Sequence, residues 1–158
     1  MKRLNIILII FLSTTISLIP SCKKDQPRNL NTTIWSGVTI TFEKTDDSNP
    51  TEAINQDRIT NNIWITRGNM GGQIYNAATE NEADKGNSPA GTLWVLGTTA
   101  DLSNLVFKEF RAAVDKPRLT IGKDLVLLLE GENIAIDIKF ISWGKSEGGQ
   151  FSCERSSN

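Results

Sequence analysis

The side chains that could carry acid–base or nucleophilic chemistry in this chain are few in kind. Histidine is absent, while the 158 residues include 18 Asp and Glu residues and two cysteines, Cys22 and Cys153. Without imidazole, Ser-His-Asp and Cys-His nucleophiles, histidine-ligated zinc and histidine proton transfer are excluded. Paired carboxylates that hydrolyse glycosides remain open, because a sequence does not give the distance between two acids. The chain is therefore a carboxylate enzyme or a protein without catalysis. We favour the second, and we expect no cofactor and no metal site.

Four side chains suggest ligand binding instead: Trp64, Arg67, Tyr75 and Trp143. Trp64 alternates with isoleucines in a run typical of a strand, so it falls on the face opposite to the apolar one. Trp143 has the parity of Asp137 in its own run, again opposite to isoleucines. An aromatic ring on a polar strand face can stack on a sugar, which offers an apolar face and a rim of hydroxyls.

Arg67 and Tyr75 lie on either side of residues 68–72, a glycine-rich segment that predicts a hairpin turn. Such a turn could bring both side chains near Trp64. The competing interpretation is that this face is covered and forms a second core, as in a sheet packed on both faces. The two interpretations predict opposite exposure of the tryptophans, and the sequence leaves both open.

The composition is that of one globular domain. Hydrophobic residues make up 39% of the chain and charged residues 22%, and this length suffices for one core but hardly for two. The 17 Lys and Arg residues against 18 acids give a formal charge of −1. No polybasic surface follows from this balance, so we expect no nucleic-acid partner.

The N-terminal residues carry the strongest signal. Met1-Lys2-Arg3 is basic, residues 4–18 are mainly apolar, and small Ser21 precedes Cys22. This pattern is typical of a secretory signal peptide, and the apolar run is shorter than the roughly 20 residues of a membrane span. Residues 18–22, Leu-Ile-Pro-Ser-Cys, resemble the lipobox of bacterial lipoproteins. That resemblance implies cleavage after residue 21, a diacylglycerol thioether on Cys22 and acylation of its freed amine.

The segment after Cys22 predicts a tether. Residues 23–31 are polar, contain Pro27 and show no apolar period. We therefore divide the chain into a signal peptide (1–21), a lipidated cysteine with a flexible tether (22–31) and one β-rich domain (32–158). Lys23 rather than aspartate follows the cysteine, which by the lipoprotein resemblance implies the outer membrane of the bacterial envelope.

Cys153 has no intramolecular partner if Cys22 carries lipid. It shares strand parity with Phe151, which predicts a small buried hydrophobic side chain. A reactive or dimer-forming thiol is the alternative, because the envelope is an oxidising compartment.

Short runs of alternating apolar and polar residues fill the predicted domain, with turn formers between them. We predict strands over 34–43, 59–66, 73–76, 92–98, 124–130, 134–143 and 150–155, and a long exposed loop over 79–91. Helical spacing predicts one helix within 103–114. The predicted fold is mostly β, an antiparallel β-sandwich or open barrel of about six to seven strands with one short helix. In the first strand, the residues expected on the buried face are Ile34, Val38, Ile40 and Phe42.

Four segments of the domain resemble an uncharacterised module of secreted bacterial proteins. They are 57–68 (DRITNNIWITRG), 88–94 (SPAGTLW), 137–143 (DIKFISW) and 148–156 (GGQFSCERS). The resemblance implies export and a β-rich domain, and it transfers no catalytic residues.

The sequence therefore predicts a membrane-anchored bacterial lipoprotein that binds a glycan or a protein in the envelope without catalysis. Its partners would be the membrane, through the lipid on Cys22, and that ligand. Two alternatives stay open: a small carboxylate-dependent glycan hydrolase, and a structural envelope protein with no specific ligand.

Overall fold

The computed structural model describes residues 31–145 and 147–158. The predicted signal peptide, Cys22 and all of the predicted tether except Asn31 lie outside these residues. In the described part of the chain no helix has the length and apolar character needed to cross a bilayer. What the structure describes is thus the predicted β-rich domain.

Two β-sheets form the framework of the described domain. The larger has the order β2-β9-β8-β7-β6, with β1 alongside β8, and the smaller has the order β3-β4-β5. Only β1 and β8 pair in parallel; the other strand pairs are antiparallel. The predicted mostly-β, antiparallel architecture is confirmed, with nine described strands rather than six or seven. They are β1 Thr33–Trp35, β2 Thr39–Lys44, β3 Asp57–Arg58, β4 Trp64–Arg67, β5 Ile74–Asn76, β6 Thr92–Leu96, β7 Leu125–Leu129, β8 Ile134–Trp143 and β9 Phe151–Ser156.

The helical content is smaller than the spacing predicted. A single α-helical turn, α1, covers Phe110–Val114, and 3-10 turns cover Ala53–Asn55, Thr99–Asn104 and Pro117–Thr120. Between Asn104 and α1 the chain is extended, because the backbone of Lys108 pairs with that of Trp94 through two hydrogen bonds of 2.8 and 2.9 Å. The predicted helix over 103–114 is therefore right only for its C-terminal half.

The first predicted strand is in fact two strands. The chain breaks at Gly37, whose N–H donates to the carbonyl of Ser157 at 2.9 Å, and a side chain at Gly37 would collide with the backbone of Asn158. β1 pairs with β8 and β2 with β9. The pattern of alternation therefore does not continue from one strand to the next.

This break makes part of the predicted buried face wrong. Trp35 shares the register position of Ile136 and packs against the core, so Ile34 points outward. Val38 and Ile40 are exposed as well. Of the four residues expected on the buried face, only Phe42 packs against the core.

The second predicted strand, 59–66, is also interrupted. Residues 59–63 form a tight loop between β3 and β4, in which the N–H of Ile59 donates to the carbonyl of Ile63 at 3.0 Å. Ile63 and Ile65 are buried, as the alternation predicted, and Trp64 lies on the other face.

β8 contains an irregularity that reverses its alternation. The register against β9 shifts between Phe140 and Ser142, so Ile141 is extra on the bulged strand. Up to Phe140 the buried positions alternate as predicted. Beyond it, Ile141 is exposed and Trp143 joins the core.

Residues of both sheets and of α1 share one hydrophobic core. At its centre, five aromatic rings have neighbouring centroids 4.9 to 6.3 Å apart: Trp94, Phe110, Phe140, Trp143 and Phe151. At one end, Arg155 of β9 donates to both carboxylate oxygens of Asp57 in β3, at 2.8 and 2.7 Å. This ion pair joins the two sheets across the core.

The long loop over 79–91 is only partly exposed. Gln73 Nε2 donates to the carbonyls of Asp84 and Asn87, each at 2.6 Å, and Ser88 and Pro89 are buried. The prediction of a long loop is right, but hydrogen bonds from Gln73 hold part of the loop against the rest of the domain.

Candidate ligand groove

Three of the four residues predicted to bind a ligand lie in the interior. Arg67 is 2% exposed, Tyr75 3% and Trp143 8%, while Trp64 is half-buried. The exposed face of aromatic and guanidinium groups that the alternation suggested is therefore not formed. The competing interpretation, a second packed face, describes these side chains better.

The structure does bring Arg67 and Trp143 together, for a reason of packing. The guanidinium carbon of Arg67 lies 4.8 Å from the ring centroid of Trp143. Its Nη1 donates to the carbonyls of Gly144 and Gln150 at 3.0 and 2.9 Å, and its Nε to that of Gly72 at 3.0 Å. Arg67 thus fastens the two ends of the β8–β9 loop to the β4–β5 turn. Burial lowers the pKa of this guanidinium.

Trp64 and Tyr75 are also engaged within the domain. The Trp64 indole Nε1 donates to the carbonyl of Thr60 at 3.1 Å, and the guanidinium of Arg58 lies 4.1 Å above its ring. Burial, and then the nearby charge of Glu80, raise the pKa of Tyr75. Of the four predicted residues, only Trp64 keeps surface that a ligand could touch.

A groove lies at the end of the domain where the β7–β8 turn meets the loop between β3 and β4. It has a volume of about 310 Å³, at the lower end of the range for small-molecule sites. An apolar floor and a polar rim make up its lining. We call the apolar lining residues the floor and the polar ones the rim. The floor is Ile63, Ala90, Gly91, Leu129 and Gly131, and the rim is Asn62, Asn76, Thr79 and Glu132.

Two glycines shape this groove. Gly91 has a φ of +78°, a conformation that favours glycine, and a Cβ there would lie 3.2 Å from the Ile63 side chain. At Gly131 a Cβ would meet nothing within 4 Å. The floor is therefore tightly packed below Gly91 and open beside Gly131.

Glu132 is the only charged residue in the lining. Its Oε1 accepts hydrogen bonds from Thr60 Oγ1 at 2.8 Å and from Asn62 Nδ2 at 2.9 Å. Its Oε2 is buried and has no hydrogen-bond partner, alone in this respect among the side-chain atoms of the described residues. Buried polar atoms are nearly always paired, so an orphaned carboxylate oxygen beside a groove indicates a missing donor.

Asn76, another residue of the groove lining, is held in place by its own hydrogen bonds. Its Nδ2 donates to the carbonyls of Asn62 and Ala90 at 2.8 and 2.9 Å, and its Oδ1 accepts from the N–H of Trp64 at 2.8 Å. Glu80 Oε2 accepts from the N–H groups of Asn76 and Ala90 at 2.7 and 3.0 Å. With all of these groups satisfied, the groove is preorganised rather than formed by the ligand.

The sequence did not single out this groove. Glu132 lies between the strands predicted over 124–130 and 134–143, and Asn62 lies within the strand predicted over 59–66. These two residues are 70 positions apart. The turn itself was predictable, but its approach to Asn62 depends on how the two sheets pack, which no local pattern encodes.

A second cavity, of about 290 Å³, lies on the outer face of the larger sheet and holds three acids, Asp124, Asp137 and Glu154. Asp124 forms an ion pair with Lys139 at 2.8 Å. Both oxygens of Asp137 accept hydrogen bonds from Thr99, at 2.7 and 2.6 Å. Any pair of carboxylates in this cavity would include Asp124 or Asp137, which already have partners, whereas the groove holds a single acid.

Cys153 is 1% exposed. Burial, and then the neighbouring carboxylate of Asp57, raise the pKa of its thiol. Its Sγ lies 3.9 Å from Asp57 Oδ2. The prediction of a buried hydrophobic cysteine is confirmed, and a buried thiol of raised pKa is a poor nucleophile.

No protein-family model, no curated protein and no solved structure matches this chain. The resemblances to a lipobox and to a module of secreted proteins therefore stay predictions.

Proposed function

We propose that this protein is a non-catalytic binding domain that lipid on Cys22 holds at the outer membrane of a bacterial envelope, and that it binds a glycan in the groove beside Glu132. The observation that carries the proposal is the groove: an apolar floor, a polar rim and one carboxylate oxygen without a donor. A sugar ring suits such a lining, because it offers an apolar face and hydroxyl donors on its edge.

The anchor is supported by the lipobox-like residues 18–22 and by where the described chain enters the domain. The N–H of Thr33 donates to the carbonyl of Asn133 at 2.9 Å, and Thr32 Oγ1 donates to Asn133 Oδ1 at 2.9 Å. Asn133 directly follows Glu132. The chain therefore arrives from Cys22 at the same turn that lines the groove.

Metabolic labelling with palmitate tests the anchor. In bacteria expressing the full chain, the wild type should incorporate label and fractionate with membranes, and Cys22→Ala should lose both. Cys153→Ala is the matched control, because it removes the other cysteine and should keep the label. An unlabelled wild type whose N-terminus is still Met1 would contradict the anchor.

Binding to an array of bacterial envelope glycans tests the groove. Thr79→Trp places a large side chain on the exposed rim and should reduce binding at least about tenfold, since it fills space the ligand needs. Thr41→Trp is the control, because Thr41 is an exposed strand residue outside the groove. Equal binding by both variants would show that the ligand lies elsewhere.

A further inference from the structure

The charge of the groove restricts which glycan it can take. Glu132 brings one negative charge, and the lining contains no cation. A carboxylate or phosphate on the ligand would meet an uncompensated like charge in a partly desolvated site. Acidic glycans are therefore disfavoured, which leaves neutral and cationic sugars.

The state of Glu132 distinguishes between these two. Oε1 already accepts two hydrogen bonds, from Thr60 and Asn62, while Oε2 is buried without a partner. Hydrogen bonds to ionised groups are about twice as strong as those between neutral groups, and an ammonium supplies both a donor and the opposite charge. The final torsion of a glutamate is soft, so the carboxylate can turn an oxygen toward a donor in the groove.

We propose, as a deepening of the glycan-binding function above and resting on it, that the groove selects a sugar carrying a free amino group. The sugar ring lies over Ala90 and Gly91, two apolar lining residues that keep exposed surface, and its ammonium donates to the Glu132 carboxylate. Without the ligand, Asn62 Nδ2 and Thr60 Oγ1 hold Oε1 and keep the carboxylate beside the groove. An N-acetylated sugar lacks the charge and adds an acyl group where the ammonium would lie.

Calorimetric titration with two matched probes tests this: a glucosamine tetrasaccharide and its fully N-acetylated form. The purified full chain in detergent should bind the free amine at least about tenfold more tightly. Binding should weaken as salt rises, because screening reduces the attraction between the charges. It should also weaken as the pH rises far enough to deprotonate the amine.

Two isosteric variants locate the effect. Glu132→Gln keeps an acceptor for Thr60 and Asn62, and should lose at least about tenfold in affinity for the free amine. Glu43→Gln makes the same change of charge on an exposed residue of β2, away from the groove lining, and should bind like the wild type. Unchanged melting temperatures would show that both variants are folded.

The outcomes separate the two proposals. If the N-acetylated probe binds as tightly as the free amine and Thr79→Trp abolishes the binding of both, the amino-sugar inference is wrong and the glycan groove stands. If the array detects no glycan whose binding is reduced by Thr79→Trp, the proposed glycan-binding function is wrong, and the amino-sugar inference is wrong with it. If the free-amine probe fails to bind while the N-acetylated probe binds, the inference is also wrong.

Discussion

At the scale of single residues, two ion pairs in this domain differ in what they contribute to stability. The side chains of Arg155 and Asp57 are 6% and 5% exposed, whereas those of Lys139 and Asp124 are 41% and 58% exposed. An exposed pair gains little because water screens it. A buried pair is not itself strongly stabilising, but removing one partner leaves an uncompensated charge inside the protein.

Chemical denaturation of two variants tests this contrast. Arg155→Met should lower the free energy of unfolding by about 3–5 kcal/mol, because Asp57 stays buried without its partner. Lys139→Met, the same truncation of charge at the exposed pair, should cost at most about 1 kcal/mol. Equal losses in the two variants would contradict the burial of the Asp57–Arg155 pair.

Single residues also show where sequence reasoning succeeds. The predicted burial of Cys153 is correct because no bulge separates it from Phe151, which has the same parity and is also buried. The predicted face of Trp143 is wrong because the alternation does not continue past the bulge at Ile141. The predicted face of Ile34 is wrong because the alternation does not continue across Gly37. Parity predicts the face of a residue only as far as its strand runs without a bulge or break.

At the scale of elements, the bulge in β8 decides where the second half of that strand points. Ile141 is the extra residue, and it lets both Phe140 and Trp143 face the core. If Ile141 took a regular place in the ladder instead of forming a bulge, strict alternation would place Trp143 on the side of Lys139. The ring packing of Trp143 and its contact with Arg67 therefore depend on this one irregularity.

Deletion of Ile141 should be tolerated. The deletion removes the extra residue and leaves Trp143 two positions after Phe140, so regular alternation still directs Trp143 into the core. Ile141→Thr keeps the bulge, and at an exposed position it should change stability by about 0.5 kcal/mol or less. If the deletion variant lost about 3–5 kcal/mol in urea denaturation, as expected for a Trp→Ala change in a core, the assignment of Ile141 as the extra residue would be wrong.

The elements show how far local pattern reaches. The predicted bounds of the strands in the β7–β8–β9 meander are close to the observed ones. β7 is a short continuous apolar run, β8 alternates over most of its length, and each strand follows its neighbour in the chain. β1 and the split of the predicted helix were missed. Both depend on pairing with distant strands, β1 with β8 and Lys108 with Trp94, which the local sequence does not record.

At the scale of the whole molecule, the groove lies at the end of the domain that receives the chain from Cys22. Eight residues, 23–30, separate Cys22 from Asn31, the first described residue, and an extended chain over these nine steps spans at most about 30 Å. If Cys22 carries lipid, the groove is therefore held close to the bilayer surface. A ligand there would be part of the envelope near the membrane.

Glycan binding in the groove beside Glu132 is tested most directly by mapping the ligand contacts on the protein. The best-binding glycan from the array would be titrated into isotopically labelled protein, and backbone amide shifts followed by NMR. We predict that the largest shifts fall on Asn62, Gly91, Gly131 and Glu132, which line the groove. Binding in the groove would be contradicted if the groove amides did not shift and the shifts were confined to Arg58 and Trp64 or to the outer face of the larger sheet.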